Sequence, residues 1–318
     1  MLSRSHSVKP SRHKRLGKIQ HKRGRGIATH VKSAVSPRRT LRHFLSFVTF
    51  EHTLFALPFA YAGMVLAAQG WPGWEVFSWV TLAMVGARTA SMALNRVIDA
   101  RIDAKNPRTA NREIPTGKVS RLDGVLLAML GFALLAVAGA SLNRLTLALL
   151  PIAVLFLALY PYTKRFTRLC HYWLGITIGA SAAGGWIAVT ASFDLVTVLL
   201  WAGVGMWIAG FDILYAVLDV DFDRGHGLYS IPACYGVETA LGISAATHLS
   251  AWIFMVAILP VAGLTVPYGL ALVVAAGLLY YQHRLVRTRE VRDVLRSFNA
   301  NLYLSGIVLT GIVVDLLT

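Results

Sequence analysis

An asparagine and two aspartates recur at steps of four in residues 88–118. Asn95, Asp99 and Asp103 would lie on one face of a helix, and Arg88, seven residues before Asn95, falls on the same face. The stretch begins inside an apolar run, where a charged side chain is costly and therefore marks a functional site. Two carboxylates and a carboxamide offer the oxygen ligands that Mg²⁺ prefers, above all when phosphate groups complete its coordination shell.

A second acidic stretch, residues 211–236, repeats this pattern. Asp219 and Asp223 are four residues apart and are expected to share a helix face, with Tyr215 one turn earlier and Asp212 about two turns deeper. An acidic helix end exposed to solvent is the alternative interpretation. Because the first stretch has the same spacing, we interpret the second as the other half of one site.

Basic residues on the intervening loops supply the opposite charge. Two facing carboxylate pairs repel each other unless metal ions and a polyanion lie between them. A diphosphate bridged by Mg²⁺ satisfies this condition, and basic side chains would bind the same anion. A long hydrocarbon on that diphosphate would explain a membrane location. The basic residues are Lys105, Arg108, Arg112, Lys118 and Lys164.

The rest of the chain has the composition of an integral membrane protein. Of its 318 residues, 56% are hydrophobic and only 14% are charged. The apolar residues form runs of about 20, long enough to cross a bilayer as helices, without the alternation of a β-barrel. We therefore predict an all-α bundle of nine transmembrane helices around a cytoplasm-facing active-site cavity. The predicted spans are 44–68, 75–98, 122–141, 146–162, 172–192, 195–218, 236–259, 267–283 and 299–317.

Positive charge is distributed unevenly along the chain. The net charge is +16, and 13 of the 31 Lys and Arg residues lie in residues 1–43. The others cluster in alternate loops, which predicts a cytoplasmic N-terminus and active site. We divide the chain into a basic, disordered tail (1–43), attracted to anionic lipid rather than nucleic acid, and one transmembrane domain (44–318). The expected location is the plasma membrane, or the mitochondrial inner membrane if the tail is a transit peptide.

The order of the polar motifs resembles the UbiA superfamily of intramembrane aromatic prenyltransferases. The resemblance covers residues 44–317 and leaves out the basic tail. Its motifs are NxxxDxxxD at Asn95–Asp103, the RTxxR-type loop at Arg108–Arg112, YPxxKR at Tyr160–Arg165, YxxxDxxxD at Tyr215–Asp223 and a GLxSxP-like run at Gly227–Pro232. One departure is Arg96, which stands where many members of quinone pathways have aspartate.

The resemblance implies a role for each motif residue. Arg112 and Lys164 match basic family positions that hold the donor diphosphate, and Arg88 would meet an acceptor carboxylate or the diphosphate. Arg108 and Tyr215 are further candidate substrate-binding residues. Asp212 or a motif carboxylate would take a phenolic or ring proton. The implied Mg²⁺ ligands, which would also act in catalysis, are Asn95, Asp99, Asp103, Asp219 and Asp223.

The function implied is Mg²⁺-dependent transfer of a polyprenyl group from polyprenyl diphosphate to 4-hydroxybenzoate or a similar quinone precursor, through an allylic carbocation. Alternative acceptors are a menaquinone-pathway aromatic, haem or a glycerol phosphate lipid, and a cation-coupled transporter is the alternative class. No obligate protein partner is inferred. Two histidines at helix ends, His171 and His283, are expected to interact with helix dipoles or lipid headgroups rather than with ligands.

Overall fold

Helices make up every regular element in residues 50–318, the part of the chain that this computed structural model describes; side chains are described from residue 56 onward. The all-α prediction is confirmed for this part. The basic tail and the domain boundary after residue 43 lie outside it and stay predictions. The helices are α1 (Phe50–Ala68), α2 (Trp74–Asp103), α3 (Arg121–Leu142), α4 (Arg144–Thr163), α5 (Cys170–Thr190), α6 (Leu195–Ala216), α7 (Val220–Gly225), α8 (Ile231–Tyr235), α9 (Val237–Ala262), α10 (Val266–Val286) and α11 (Val291–Asp315).

Seven spans in the described part are long and apolar enough to cross a bilayer: α3, α4, α5, α6 with its extension to Gly225, α9, α10 and α11. The described apolar part of α1, Ala56–Ala68, is shorter. Helix α2 carries the charged side chains of the predicted site and is correspondingly polar. The protein is thus an integral membrane protein, while the nine-span count and the cytoplasmic orientation stay predictions.

Polar residues decide where several helices begin and end. Helix α2 runs on to Asp103 instead of ending at 98, and α11 begins at Val291 instead of at 299, because both include charged turns that a count of apolar residues leaves out. Three other helices begin at capping boxes, in which two side chains satisfy free backbone N–H groups. These pairs are Ser120 with Asp123, Asn143 with Thr146, and Asp194 with Thr197.

Helices that follow one another pack side by side around a ring. The order is α1 to α6, then α9, α10 and α11, and α11 packs against α1. Helix α6 is the most enclosed: 72% of its most apolar window is buried, against 11% for α4. Its apolar face joins α1 and α10 in the main core, through residues that include Phe59, Trp207 and Tyr268. The start of the second acidic stretch, with Asp212 and Tyr215, therefore lies on the most buried of the seven spans.

Glycines bring the central helices into backbone contact. A Cβ atom at Gly185 of α5 would lie 2.0 Å from the carbonyl oxygen of Ala60 in α1, and one at Gly63 would lie 2.1 Å from that of Ala182. A Cβ at Gly175 of α5 would lie 2.3 Å from the carbonyl oxygen of Gly205 in α6. Small residues of this kind allow close helix packing within a bilayer.

Two adjacent glycines provide a test of this packing. We expect Gly185→Ala to lower the unfolding midpoint in detergent, because the added methyl group must displace α1; overpacking of this kind costs about 1–3 kcal/mol. Gly184→Ala is the matched control, since a Cβ there meets nothing within 4 Å. Thermal unfolding of both purified variants is the measurement. Equal midpoints for the two variants would contradict close packing of α1 on α5.

Candidate active site

The C-terminal half of α2 carries the first acidic stretch on a shared face. Asn95 Nδ2 donates to Asp99 Oδ2 at 3.2 Å, a contact that side chains four residues apart make on a helix. The residues Asp99 and Asp103 are only 1% and 4% exposed. Ionised carboxylates at such positions need positive partners.

Basic side chains from two loops pair with these carboxylates. Lys164 Nζ, just after α4, lies 2.5 Å from Asp99 Oδ2, and Arg165 Nη2 lies 3.0 Å from Asp99 Oδ1. Arg112 Nη1, in the loop after α2, donates to both oxygens of Asp103 at 2.7 and 2.8 Å. Each carboxylate of the first stretch is thus neutralised within the protein.

The two acidic stretches meet at Asp219. Its Oδ1 accepts hydrogen bonds at 2.9 Å from Asn106 Nδ2 and from Arg108 Nε, both in the loop after α2. Arg108 also pairs with the second oxygen of Asp219 and donates to the Tyr215 hydroxyl at 3.0 Å. Residues more than 100 positions apart therefore form one polar cluster.

The second stretch differs from the prediction in its local geometry. A 3₁₀ turn, Val217–Asp219, separates α6 from the short helix α7, so Asp219 and Asp223 do not share a continuous helix face. Asp223 lies on α7, beside the hydroxyl of Ser230, the residue that caps α8. The prediction that Asp219 and Asp223 share a helix face therefore does not hold across this break.

Arg108 keeps its positive charge in the loop between α2 and α3. Burial lowers the pKa of its guanidinium, but the hydrogen bond to Asp219 acts in the opposite direction, and the net pKa lies above the usual value. Lys105 and Lys118, which were also expected to supply positive charge, are exposed on this loop.

A cavity of about 470 Å³ opens between α1 to α6 and α11. Four of the predicted site residues line it: Arg88, Arg112, Asp212 and Tyr215. Most of its wall is apolar, with residues such as Leu149, Phe156 and Trp207. The other seven predicted residues lie outside its lining: Asn95, Asp99, Asp103, Arg108, Lys164, Asp219 and Asp223.

Several buried polar atoms of the cavity wall have no hydrogen-bond partner in the described part of the chain. They include Nε of Arg88, Nε and Nη1 of Arg96, Oγ of Ser181 and Nε1 of Trp207. Arg96 is 7% exposed and lies in the electrostatic field of Arg112. Unpaired buried groups are costly, and the arginine and tryptophan nitrogens can only donate. The cavity is therefore suited to a ligand that accepts hydrogen bonds and carries negative charge.

Asp212, about two turns deeper than Asp219, is paired with a histidine. Its Oδ2 lies 2.6 Å from Nδ1 of His171, near the start of α5. Of the two partners expected for His171, a helix dipole or a lipid headgroup, the headgroup is excluded because the residue is only 3% exposed. His283, the other helix-end histidine, lies 3.0 Å from Nδ1 of His248 through its Nε2 and is also directed at a protein partner.

The oxygen donors at the polar cluster fit a hard divalent cation in type. The described residues contain no group of three His, Cys, Asp or Glu side chains close enough to hold a metal ion. Mg²⁺ at phosphate-transfer sites commonly uses one or two carboxylates together with oxygens of the substrate. Lys164, Arg108 and Arg112 now pair with these carboxylates, so an incoming diphosphate could take over the basic side chains and leave the acidic ones to the metal.

Comparison with known proteins gives one consistent family. The model of the UbiA prenyltransferase family matches residues 56–306. The 4-hydroxybenzoate octaprenyltransferase of Alkalilimnicola ehrlichii is 31% identical over 262 residues, which cover 80% of this chain and 86% of the relative. The enzyme of the same name from Photobacterium profundum is 30% identical over 80% of this chain and 88% of its own.

Solved structures share the fold. The apo structure of a UbiA homolog from Aeropyrum pernix K1 is 36% identical, with a TM-score of 0.76, and the match covers 83% of this chain and 98% of that one. A UbiA homolog from Archaeoglobus fulgidus bound to GPP and Mg²⁺ has a TM-score of 0.65 over 85% of this chain and 99% of that one. The second is 16% identical and supports the fold alone.

Sequence reasoning missed four polar residues of this region. Arg165 lies within the quoted YPxxKR motif and Asn106 lies between two quoted motifs, so their position was a usable signal, but neither was assigned a role. Arg96 was noted only as a departure, and no spacing pattern indicated that His171 would meet Asp212.

Arg96 can be tested by separating stability from activity. We expect Arg96→Leu to leave the unfolding midpoint unchanged or higher, because an apolar side chain replaces a buried guanidinium whose Nε and Nη1 have no hydrogen-bond partner among the described residues. The same change should lower kcat/KM for prenyl transfer about tenfold or more, since a hydrogen bond to a charged group contributes about 1.5–3 kcal/mol. Arg101→Leu, at an exposed arginine of the same helix, is the matched control. Normal kcat/KM in Arg96→Leu would show that the guanidinium binds no substrate.

Proposed function

The chain belongs to the UbiA prenyltransferase family and is a membrane prenyltransferase, and we propose that it transfers a polyprenyl group from polyprenyl diphosphate to an aromatic acid. We propose 4-hydroxybenzoate, or a related quinone precursor, as the acceptor, because relatives at least 30% identical are 4-hydroxybenzoate octaprenyltransferases. The transporter hypothesis is dropped, since the family consists of transferases.

The observation that carries this proposal is the pairing of an apolar cavity with a polar cluster of opposite charges. The cavity wall offers room for a hydrocarbon chain and a ring, and its unpaired nitrogens suit an anionic group. Beside it, Arg108, Arg112 and Lys164 provide positive charge for a diphosphate. A hydrocarbon that ends in a diphosphate matches both parts.

On this proposal, basic residues hold the donor diphosphate, and Tyr215 orients Arg108 through its hydroxyl. Bound Mg²⁺ would supply positive charge that stabilises the departing diphosphate. The apolar wall excludes water, which would otherwise capture the allylic carbocation. The residues proposed to hold Mg²⁺ are Asn95, Asp99, Asp103, Asp219 and Asp223.

Arg88 and Asp212 are proposed to act on the acceptor. Arg88 would bind the carboxylate of the aromatic acid, and Asp212 would take its phenolic proton, because it is the predicted carboxylate that lines the cavity. The C–O bond of the donor breaks to give diphosphate and the allylic carbocation, and the ring carbon beside the phenolate then forms the new C–C bond with that cation. The hydrogen on that carbon leaves as a proton, the phenol oxygen is protonated again, and diphosphate is released with the net proton.

Membrane topology supports access to both substrates. The loops that carry Arg108, Arg112 and Lys164 are the basic ones, which favours a cytoplasmic site, in the plasma membrane or, if the tail is a transit peptide, the mitochondrial inner membrane. The donor would enter from the bilayer with its hydrocarbon between helices. The proposed partners are polyprenyl diphosphate, the aromatic acceptor and lipid, with neither nucleic acid nor an obligate protein.

Turnover in lipid tests the donor site. Wild-type protein with geranyl diphosphate, 4-hydroxybenzoate and Mg²⁺ should form prenylated 4-hydroxybenzoate, detected by mass spectrometry, and EDTA should abolish it. Asp99→Asn and Asp219→Asn should each lower kcat at least about a hundredfold. Each aspartate is proposed to hold the Mg²⁺ that stabilises the negative charge of the departing diphosphate, and asparagine would hold it less tightly. Asp221→Asn, at an exposed neighbour, is the control.

The outcomes of this assay test the donor site and the choice of acceptor separately. Wild-type turnover in Asp99→Asn or Asp219→Asn would contradict the two-stretch site. Diphosphate release that depends on Mg²⁺, but only with a naphthoate, haem or glycerol phosphate acceptor, would keep the donor site and replace the proposed aromatic acid.

Arg88 provides a separate test of acceptor binding. We expect Arg88→Leu to raise KM for 4-hydroxybenzoate about tenfold or more, while KM for geranyl diphosphate changes less than about twofold, because the guanidinium would pair with the acceptor carboxylate. Steady-state kinetics with each substrate varied in turn is the measurement. A larger rise in KM for the donor would assign Arg88 to the diphosphate instead.

A further inference from the structure

His171 joins the cavity to the segment that follows the second acidic stretch. Its Nδ1 lies 2.6 Å from Asp212 Oδ2, and its Nε2 lies 3.2 Å from the backbone nitrogen of Ile231, the first residue of α8. The histidine side chain is 4% exposed, whereas that of Asp212 is 27% exposed and lines the cavity. The ring is thus enclosed between the carboxylate and a backbone amide.

These two contacts define the tautomer. The Ile231 N–H can only donate, so Nε2 must accept and carries no proton. Nδ1 then holds the ring proton and donates it to Asp212. Protonation of both nitrogens would direct an N–H of the ring against the N–H of Ile231. His171 therefore donates from Nδ1 to the Asp212 carboxylate while its Nε2 accepts from the backbone.

Neighbouring contacts hold the ring in place. Cys170 Sγ donates to the carbonyl oxygen of Tyr229 at 3.2 Å, and the Tyr229 N–H donates to the carbonyl oxygen of Lys164 at 2.7 Å. Backbone contact between Gly175 and Gly205 fixes α5 against α6, the helices that carry His171 and Asp212. The partners of the imidazole are therefore fixed on both sides.

We propose that His171 is a positioning residue for prenyl transfer: its Nδ1–H holds Asp212 Oδ2 and leaves Oδ1 free to take the phenolic proton of the acceptor. A donor that carries no net charge orients the carboxylate without placing a positive charge beside it. The proton moves from the phenol oxygen to Oδ1, and His171 keeps its own proton throughout. This inference rests on the proposed role of Asp212 as the base.

Two substitutions at His171 distinguish positioning from packing. In full-length protein in lipid nanodiscs, His171→Leu should lower kcat for 4-hydroxybenzoate about 10- to 100-fold, the effect typical of losing a partner that orients a functional group, and leave KM for geranyl diphosphate unchanged. His171→Asn should restore much of the lost kcat, because its amide N–H can replace Nδ1–H. His226→Leu, at an exposed histidine, is the matched control.

A more acidic acceptor gives a readout that packing damage does not alter. In 2,6-difluoro-4-hydroxybenzoate the phenol loses its proton more easily, while both ring carbons beside the hydroxyl stay free. The ratio of wild-type to His171→Leu kcat should fall several-fold with this acceptor, because proton removal then limits the rate less. An equal ratio with both acceptors, or wild-type kcat in His171→Leu, would overturn the positioning role.

Asp212→Asn connects this test to the proposed function. The double variant His171→Leu with Asp212→Asn should be no slower than Asp212→Asn alone, since two residues that act as one unit are not additive. Additive losses would overturn the inference while prenyl transfer by the wild-type protein stands. Wild-type kcat in Asp212→Asn would remove the base and the inference with it. Absence of prenyl transfer by the wild-type protein is a different result, and it would contradict the proposed function itself.

Discussion

Charge balance at buried carboxylates is the constraint on which the site depends. An ionised carboxylate inside an apolar bundle is stable only beside a positive or hydrogen-bonding partner. Asp99, Asp103 and Asp219 each obtain such a partner from a loop, through Lys164, Arg112 and Arg108. The ion pairs that neutralise the acidic groups also join the loop after α2 to the end of α6. The connection between the acidic stretches is therefore made by the charges that an anionic substrate would compete for.

Local patterns in the sequence predicted the parts of this arrangement that arise within one helix. Four-residue spacing placed Asn95 next to Asp99, and each of the eight predicted apolar runs from residue 75 onward overlaps one long helix. The ion pairs depend on tertiary packing instead: 65 positions separate Lys164 from Asp99, and 111 separate Arg108 from Asp219. The four-residue spacing also could not reveal the 3₁₀ turn that ends at Asp219. The spacing of the aspartates in the sequence is the same whether or not the helix is interrupted there.

The cavity wall and the polar cluster beside it are suited to different parts of a ligand. Its wall is mainly apolar and carries a few nitrogens without partners, whereas the adjacent cluster is rich in matched ion pairs. Binding of a hydrocarbon chain to an apolar wall depends on the nonpolar area that is buried, so a long tail can bind there without any specific polar contact. On the proposed function, selectivity for the reacting groups comes from Arg88, Arg96 and Asp212, where a group of the wrong charge would leave a buried partner unmatched.

The helices around the cavity differ in how readily their side chains can change in size, because some of them are in backbone contact at glycines and others are not. Helix α5 touches α1 and α6 so closely at Gly185 and Gly175 that a single added methyl group meets main-chain atoms. Helix α4 has no glycine, is the least buried span, and still lines the cavity through Leu149 and Phe156. Side chains on α4 can therefore grow or shrink without displacing a neighbouring backbone. Lineages that need a pocket of another size can obtain it there, while the helices that carry Asp212 and His171 stay unchanged.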